Sequence, residues 1–434
     1  MKRFLAVSFA VILALLTFTA CGRNNDVELV VAWWGADMRA NHTEQILDLF
    51  MAQNENVDYV ETEFFAFGDY WTQMAIRSSA GNLPCVMQQD VSRMLEYVEG
   101  GLLLDLTPFI NNNRLNLSEL PQDAIDTGRV PGHPGIYAVP LGMNVSAMVY
   151  NKTLLDSLGI TVPFNMTLQQ FIDISREVYN RSGVRTNWAH NDASIQLELH
   201  LRAQGVNLFE GNRLGGTWEN YLEFFQTIQL GLDEGWHLRP EHWAGRDGAE
   251  MNPLWYPAGA ENANLRAWNS QVWSNMIAVY VNDSPADMEI ALTTPPSNNP
   301  LLSNFGRATM FLAVSSQTDN VDEAVALVDF WVNSVDAWRI MDGDRGAAPN
   351  QRIGNAISGT ASASARTQSE FVGRVNAGGY APNPFNHSRP AAAGQVVGMG
   401  TSLLINVVEE LTFGRITPEQ AAQRFFNEGN AMLG

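Results

Sequence analysis

Residues 27–33 have the sequence VELVVAW, a short apolar run rich in β-branched side chains, which predicts a buried strand. Residues 41–52 then space their apolar side chains as an amphipathic helix does, and residues 57–65 return to a strand pattern. A second predicted helix over 69–79 leads into a short strand over 85–88. This alternation of strand and helix predicts a parallel sheet with right-handed crossovers, and therefore an α/β fold.

Later helices are predicted from the residues at which they begin. The spacing of a capping box occurs at three places: Thr167 with Gln170, Asn320 with Glu323, and Thr417 with Gln420. Two segments rich in small residues, 354–366 and 378–390, are predicted to be loops. No repeat of 20–50 residues is evident, which argues against a solenoid.

The first residues are typical of an export signal. Lys2 and Arg3 precede an uncharged, largely apolar run over 4–18. This run is shorter than the roughly 20 apolar residues that a membrane-spanning helix needs. Small residues then lead to Cys21, which resembles the lipobox of bacterial lipoproteins, although Phe18 stands where that pattern usually has leucine.

The lipobox resemblance implies that residues 1–20 are a lipoprotein signal peptide and that residues 21–26 are a tether. Cys21 would carry the lipid, palmitate among its acyl chains, and the protein would lie outside the cytoplasm, anchored to the cell membrane. An ordinary cleaved signal with an incidental cysteine is the alternative.

Composition sets further bounds. Besides Cys21 the chain has only Cys85, so no disulfide framework supports the fold, and apolar neighbours predict that Cys85 is a buried structural residue. A chain of 434 residues predicts two domains. The formal net charge of −20 argues against a nucleic-acid partner, since phosphate binding needs clustered Lys and Arg.

Several segments, in order along the chain, resemble a known family. They are Trp33-Trp34-Gly35, Ala80-Gly81-Asn82-Leu83-Pro84 with Val86 and Gln88, GLLLDLTP at 101–108, YAVP at 137–140, MVYNK at 148–152 with LGI at 158–160, Gly306-Arg307 with 313–315, Asp344-Arg345-Gly346, and the closing stretch 407–433. Together they resemble the bacterial extracellular solute-binding proteins, family 1, that serve sugar importers. Cys85 departs from the family pattern, which usually has aspartate there.

The resemblance implies a two-lobed, periplasmic-binding-protein-like fold of type II, with a ligand cleft at a hinge. Lobe one is expected at 27–140 plus 290–332, and lobe two at 141–289 plus 333–434. Hinge crossings are expected near 139–142 and 293–296, where prolines restrict the backbone.

The same resemblance implies a function. The chain would be the substrate-binding subunit of an ABC importer, a monomer without a cofactor that captures a carbohydrate, expected to be an oligosaccharide. Closure of the lobes would follow from the greater affinity of the ligand for the closed state. The closed form would then dock on the permease subunits in the membrane.

Sugars have polar edges and apolar faces, so a sugar site combines planar aromatic rings with carboxylates or amides. In open α/β sheets the ligand lies beyond the carboxyl ends of the strands. Residues that follow the first three predicted strands are therefore candidate ligand contacts: Trp34, Asp69, Trp71, Gln89 and Asp90. Trp33 is expected to point into the core instead, and Asp69 also suits the N-cap of its helix.

Further candidates occur elsewhere in the chain: Asn144, Trp188, Trp255, Trp268, Asn269, Arg307 and Arg345. Asn144 follows the first hinge crossing, and Trp268 has polar neighbours suited to hydroxyl groups. The three tryptophans also suit a hydrophobic core. The two arginines are able to form bidentate contacts with hydroxyls or a carboxylate, with structural salt bridges as the alternative.

Other kinds of chemistry find little support in the sequence. No HExxH motif or paired Cys/His spacing predicts a metal site, and no GxSxG elbow predicts a nucleophile. Two alternatives remain open. One is a binding protein for a polyamine, a peptide or an organic anion. The other is a surface enzyme that cleaves polysaccharide, which needs a carboxylate pair such as Asp69 and Asp90.

Overall fold

The computed structural model describes residues 27–189, 193–239, 242, 252–256, 260–308, 310–379, 390, 392–398 and 402–434. The predicted signal peptide, the tether and Cys21 lie outside the described residues, as does most of the predicted loop over 378–390.

The predicted strand–helix alternation is confirmed at the start of the fold. Five elements follow one another: β1 (Glu28–Trp34), α1 (Asp37–Gln53), β2 (Tyr59–Phe65), α2 (Phe67–Ala80) and β3 (Val86–Gln89). β1 lies between β2 and β3 and runs parallel to both. Trp33 is buried in the core as predicted, and α2 ends at Gly81, whose φ of 73° suits glycine.

Two strands from later in the chain complete this first sheet. They are β4 (Val139–Pro140) and β9 (Phe311–Val314), and the order is β2-β1-β3-β9-β4. β9 is antiparallel to both β3 and β4. Cys85 is buried as predicted, and its Sγ accepts a hydrogen bond from the Val30 N–H at 3.5 Å.

A second sheet is organised around β5 (Met143–Asn151). Three strands pair with β5 in antiparallel register: β6 (Asn269–Trp273), β7 (Ile290–Thr293) and β8 (Gly306–Ala308). The chain is thus a two-lobed α/β fold, with one sheet in each lobe.

Helices surround both sheets. The bounds of the others are α3 (Val91–Glu99), α4 (Thr107–Asn111), α5 (Gln122–Asp126), α6 (Lys152–Ser157), α7 (Leu168–Ser182), α8 (Ala193–Ala203), α9 (Glu219–Asp233), α10 (Ile277–Asn282), α11 (Pro300–Ser303), α12 (Val321–Asn333), α13 (Val335–Met341), α14 (Gln351–Ile357), α15 (Ala363–Asn376), α16 (Ala393–Val397), α17 (Leu403–Thr412) and α18 (Pro418–Leu433). Short 3₁₀ turns cover Ala260–Leu265 and Ser274–Met276.

Two of the three predicted capping boxes are present, at the starts of α7 and α18. The third prediction is wrong. Asn320 is the N-cap of α12, but its Oδ1 accepts no cap hydrogen bond; its Nδ2 donates to the Glu28 carbonyl at 2.8 Å. The predicted loop over 354–366 is also wrong at both ends, where α14 and α15 reach into it. Ser362 caps α15, so a serine taken for a loop residue is a helix start.

The hydrophobic cores show where each segment belongs. One cluster joins the first sheet to α12, α13 and Ile353, and a second joins α7, α9, α17 and α18. The expected lobe boundaries therefore need correction. β7 and β8 belong to the second sheet because β5 satisfies their backbone groups, and α13 packs with the first sheet. Among the described helices, none is long and apolar enough to cross a membrane.

Candidate functional site

Three stretches of chain run side by side between the two sheets. The Leu141 N–H donates to the Met310 carbonyl at 2.9 Å. Met143 and Ala347 exchange both of their backbone hydrogen bonds, at 2.8 and 2.9 Å. These stretches form the connection between the lobes, which we call the hinge: residues 141–143, Ala308 and Met310, and residues 345–347.

One expected crossing agrees with this arrangement and the other does not. Residues 139–142 lead from β4 of the first sheet into β5 of the second. Residues 293–296 do not cross, since the chain stays with the second sheet through β8. A sequence reading cannot place this crossing, because it depends on which distant strand β8 pairs with.

Asn144, predicted to face the ligand, is fully buried beside the hinge. Its Nδ2 donates to the Arg345 carbonyl at 3.2 Å. Its Oδ1 accepts from Ser274 Oγ at 3.2 Å and from Gln368 Nε2 at 3.1 Å. In this structure the Asn144 amide therefore holds the hinge segments together.

Arg345, another predicted ligand contact, is also buried and bonded to protein groups. Its Nε donates to Gln88 Oε1 at 3.1 Å, and its two terminal nitrogens donate to Asp344 Oδ2 at 3.0 Å and to Thr43 Oγ1 at 2.6 Å. Arg39 contacts the same carboxylate, at 2.9 Å from Oδ1. Arg345 thus takes the structural salt-bridge role that the sequence left open.

The buried charges of Asp344 and Arg345 shift each other's pKa. Burial raises the pKa of Asp344, but the fields of Arg345 and Arg39 outweigh that effect and hold the pKa well below its usual range. Burial also lowers the pKa of Arg345, with Asp344 opposing the change. Asp344 therefore remains ionised between two cations at the junction of lobe one and the hinge.

The rim of lobe one, at the carboxyl ends of β1 and β2, carries an aromatic cluster. The Trp34 ring lies 5.4 Å from that of Phe67 and 5.5 Å from that of Trp71, and both tryptophans are buried. Phe67 remains 44% exposed. The two predicted tryptophans therefore support Phe67, which is the ring of this cluster that faces solvent.

The polar residues predicted on the same rim differ in their roles. Asp69 is exposed in the first turn of α2, but Ala66 is the N-cap, so the alternative reading of Asp69 as a cap is wrong. Gln89 is buried, and its Oε1 accepts from the Asp90 N–H at 3.2 Å. Asp90 caps α3 and accepts from the Ser92 N–H at 2.8 Å and the Ser92 hydroxyl at 2.6 Å.

A second aromatic surface lies in lobe two. The Trp273 ring at the end of β6 meets Phe305 edge to face at 6.0 Å. The Arg307 guanidinium lies 3.9 Å from the centre of the Trp273 ring, and the Arg202 guanidinium 4.8 Å from that of Phe305. Arg307, predicted from sequence, is therefore part of an aromatic and cationic wall.

The two walls meet. Val91, the residue after Asp90 on the rim of lobe one, packs against a small apolar cluster of Ile195, Leu199 and Phe305 in lobe two. Trp273 packs against the same cluster. Val91, which follows the carboxyl end of β3, thus lies next to the Trp273 wall at the junction of the lobes.

The remaining predicted aromatic contacts lie elsewhere. Trp268 is fully buried, packs against Phe171 and donates through Nε1 to Thr186 Oγ1 at 2.8 Å. Trp188 is buried in the same core. Trp255 is half-buried with the Arg266 guanidinium 4.4 Å from its ring centre.

Asn269, predicted to bind a ligand, has a structural partner instead. Its Oδ1 accepts from the Asn187 N–H at 3.0 Å and its Nδ2 donates to the Asn187 carbonyl at 2.9 Å. Trp273 and Phe305 were not predicted. The alternation of a strand that begins at Asn269 would have placed Gln271 and Trp273 on one face, which is the signal available in the sequence.

The described residues offer no donor set for a metal ion. Within the part of the chain that the structure describes, no three or more His, Cys, Asp or Glu side chains are grouped so as to hold an ion. The groups that converge where the lobes meet are aromatic rings, arginines and amides, which suit a polar organic solute.

Solved structures share this architecture. An extracellular solute-binding protein of family 1 from Alicyclobacillus acidocaldarius is 21% identical, with a TM-score of 0.71 over 94% of this chain and 98% of that one. A periplasmic oligogalacturonide-binding protein from Yersinia enterocolitica, in complex with saturated digalacturonic acid, is 16% identical with a TM-score of 0.75 over 94% and 99%. An ABC substrate-binding protein from Listeria monocytogenes, in complex with cycloalternan, is 16% identical with a TM-score of 0.72 over 94% and 99%.

Sequence comparison agrees with the fold. The family described as bacterial extracellular solute-binding protein matches residues 39–336, which is more than half of the chain. That stretch includes Phe67 and Trp71 of the rim of lobe one and the Trp273 wall of lobe two. The chain belongs to the bacterial extracellular solute-binding proteins.

Proposed function

We propose that this protein is the substrate-capturing subunit of an ABC importer and that its solute is a carbohydrate, an oligosaccharide held between the two lobes. The solute bridges the rim of lobe one and the Trp273 wall of lobe two. Closure then follows from contacts that are available only when both walls are engaged. The closed form delivers the solute to permease subunits.

The observation that carries this proposal is the packing of Val91 against Phe305 and its neighbours. It brings the carboxyl edge of the first sheet, where α/β folds bind ligands, against an aromatic wall of the other lobe. A half-exposed Phe67 on one side and Trp273 on the other provide flat apolar surfaces for sugar rings.

The structural relatives support a carbohydrate in particular. The Yersinia protein is in complex with saturated digalacturonic acid and the Listeria protein with cycloalternan. Amide-rich surroundings favour hydroxyl groups as well, since each hydroxyl is both a donor and an acceptor.

The proposal is a receptor and not an enzyme. The Asp90 carboxylate is engaged as the cap of α3, and Asp69 is exposed in the first turn of α2. The Asp90 carboxylate thus has a structural role, whereas glycoside hydrolysis needs a matched pair of free carboxyl groups across the substrate.

A thermal-shift screen against purified saccharides tests the proposal. A saccharide at about 100 times its dissociation constant stabilises the native state by roughly 2.7 kcal/mol, which raises the melting temperature visibly. Trp273→Ala should lose about half of that shift or more. A rise given only by polyamines, peptides or organic acids, with none from any saccharide, would overturn the carbohydrate assignment and leave the family unchanged.

Anchoring is a separate part of the proposal. We infer that Cys21 carries the lipid and holds the protein, as a monomer, on the outer face of the membrane. Cys21→Ser should move the exported protein from the membrane fraction to the soluble fraction, with loss of the acyl mass on the N-terminal peptide. An unchanged distribution would contradict lipid anchoring at this residue.

A further inference from the structure

One face of the second sheet carries polar side chains at its hinge end. In the register of β5 and β6, Ser146 is opposite Trp273 and Met148 is opposite Gln271. Side chains of directly paired residues share a face, and neighbours along a strand alternate. Ser146, Gln271 and Trp273 therefore lie on one face. The other face is apolar, with Val145, Ala147, Val149 and Val272.

Two of these side chains are buried without hydrogen-bond partners. Gln271 is 4% exposed, and neither its Nε2 nor its Oε1 has a partner among the described residues. The Ser146 hydroxyl is also buried, and it too has no hydrogen-bond partner among the described residues. Buried polar groups are nearly always paired, because an unpaired one loses its bonds to water without replacement.

Another amide on β6 shows that the strand does not itself prevent a buried amide from finding hydrogen-bond partners. Asn269 lies two positions from Gln271, on the same face and equally buried, and its amide is fully engaged with the backbone of Asn187. β6 therefore carries a paired amide at Asn269 and an unpaired amide at Gln271, which is nearer the hinge.

A second open amide belongs to the same region. Asn304 is 1% exposed, and neither side-chain atom has a partner within the described part of the chain. The next residue, Phe305, brings its ring to 6.0 Å from the Trp273 ring. Both unpaired amides are thus close in sequence to the Trp273 wall. Gln271 is on the same strand as Trp273, and Asn304 directly precedes Phe305.

We infer that Gln271 and Ser146, beside Trp273 and with Asn304 as a further member, form a subsite that recognises the hydroxyl groups of one sugar ring. The inference rests on the proposed function and names residues within it. A glutamine amide offers two donors and an acceptor, and a serine hydroxyl offers one donor and two acceptor lone pairs, which match adjacent ring hydroxyls. The Trp273 ring supplies the apolar surface for the C–H face.

The first arm of the test measures the full-length protein without ligand. Gln271→Met removes the amide at nearly constant volume, so the melting temperature should stay the same or rise. Asn269→Leu is the matched control on the same strand and should lower the melting temperature by about 3 °C or more, because it breaks bonds to Asn187. An equal loss in Gln271→Met would overturn the inference, since it would show a structural partner.

The second arm measures binding of maltotriose, cellotriose, xylotriose and digalacturonic acid by titration calorimetry. The saccharide that binds the wild type should bind Gln271→Met roughly tenfold more weakly, as expected for one lost hydrogen bond. Ser146→Ala should weaken binding in the same direction.

The two claims fail differently. If the wild type binds one of these saccharides and Gln271→Met binds it equally well, the subsite is wrong and the proposed function stands. If no saccharide of the thermal-shift screen binds the wild type, the carbohydrate assignment and the hydroxyl subsite fail together.

Discussion

Gly142 lies directly against the carbonyl of Arg345, and a Cβ added at position 142 would come within 2.4 Å of that oxygen. The same contact brings it within 2.9 Å of the Gly346 Cα. Two segments of the hinge therefore touch through their backbones, and only glycine at position 142 permits this approach. The connection between the lobes therefore has no room for a side chain at position 142.

Gly142→Ala should lower the free energy of unfolding by about 1–3 kcal/mol, since the added methyl displaces backbone and not a flexible side chain. Gly354→Ala is the control, because nothing lies within 4 Å of the added Cβ on α14. That variant should gain up to about 1 kcal/mol from better helix propensity. Urea denaturation compares the two, and equal stabilities would contradict the close contact.

Asp344→Asn should cost about 3–5 kcal/mol at neutral pH, because it leaves the buried Arg345 without its anionic partner. Asp336→Asn removes an exposed pair with Arg339 and should cost less than about 1 kcal/mol. Denaturant midpoints give both values. A loss in Asp344→Asn no larger than in Asp336→Asn would mean that the buried network contributes little.

The Asp344 network also predicts a pH dependence. The pKa of Asp344 is lowered in the folded state, so its contribution is complete above the unfolded value of about 3.9 and is lost as the pH falls below it. The stability difference between wild type and Asp344→Asn should therefore shrink in acid. Unfolding curves at pH 7 and pH 3 test this, and a constant difference would contradict it.

The fold was predictable where its signals are local. The strand–helix alternation of residues 27–89 follows from apolar spacing alone, and Thr167 and Thr417 were identifiable as caps. The prediction for Asn320 is wrong, since its side chain bonds through Nδ2 to the distant Glu28 carbonyl and its Oδ1 makes no cap bond. The placement of β7 and β8 failed for the same kind of reason, since strand pairing over long separations leaves no mark in local pattern.

The candidate site was less predictable than the fold. Trp268 and Trp273 are equally plausible platforms by residue type, and only strand register and burial separate them. Trp268 has its indole N–H bonded to Thr186 in the core, whereas Trp273 packs at the junction of the lobes. The ends of the parallel strands in lobe one were predictable, but the solvent-facing ring of the aromatic cluster there is Phe67, which the sequence did not single out.

His200 on α8 should make the protein less stable in mild acid. Burial lowers its pKa to about 4, whereas the unfolded chain has a value near 6.5. The unfolded state therefore binds the proton first, so stability is complete above about pH 6.5 and declines toward pH 4. The decline should reach about 3 kcal/mol and should be smaller in His200→Gln. Identical pH slopes in chemical denaturation would show that His200 is not the cause.

The most direct test of capture between two lobes is the dissociation constant of one saccharide, the best hit of the screen, for wild type, Phe67→Ala and Trp273→Ala. Tyr59→Ala is the control, an aromatic residue 56% exposed at the opposite end of β2. Each wall variant should bind roughly tenfold or more weakly, and the control should bind normally. Wild-type affinity in either wall variant would show that only one lobe holds the solute, contrary to this account.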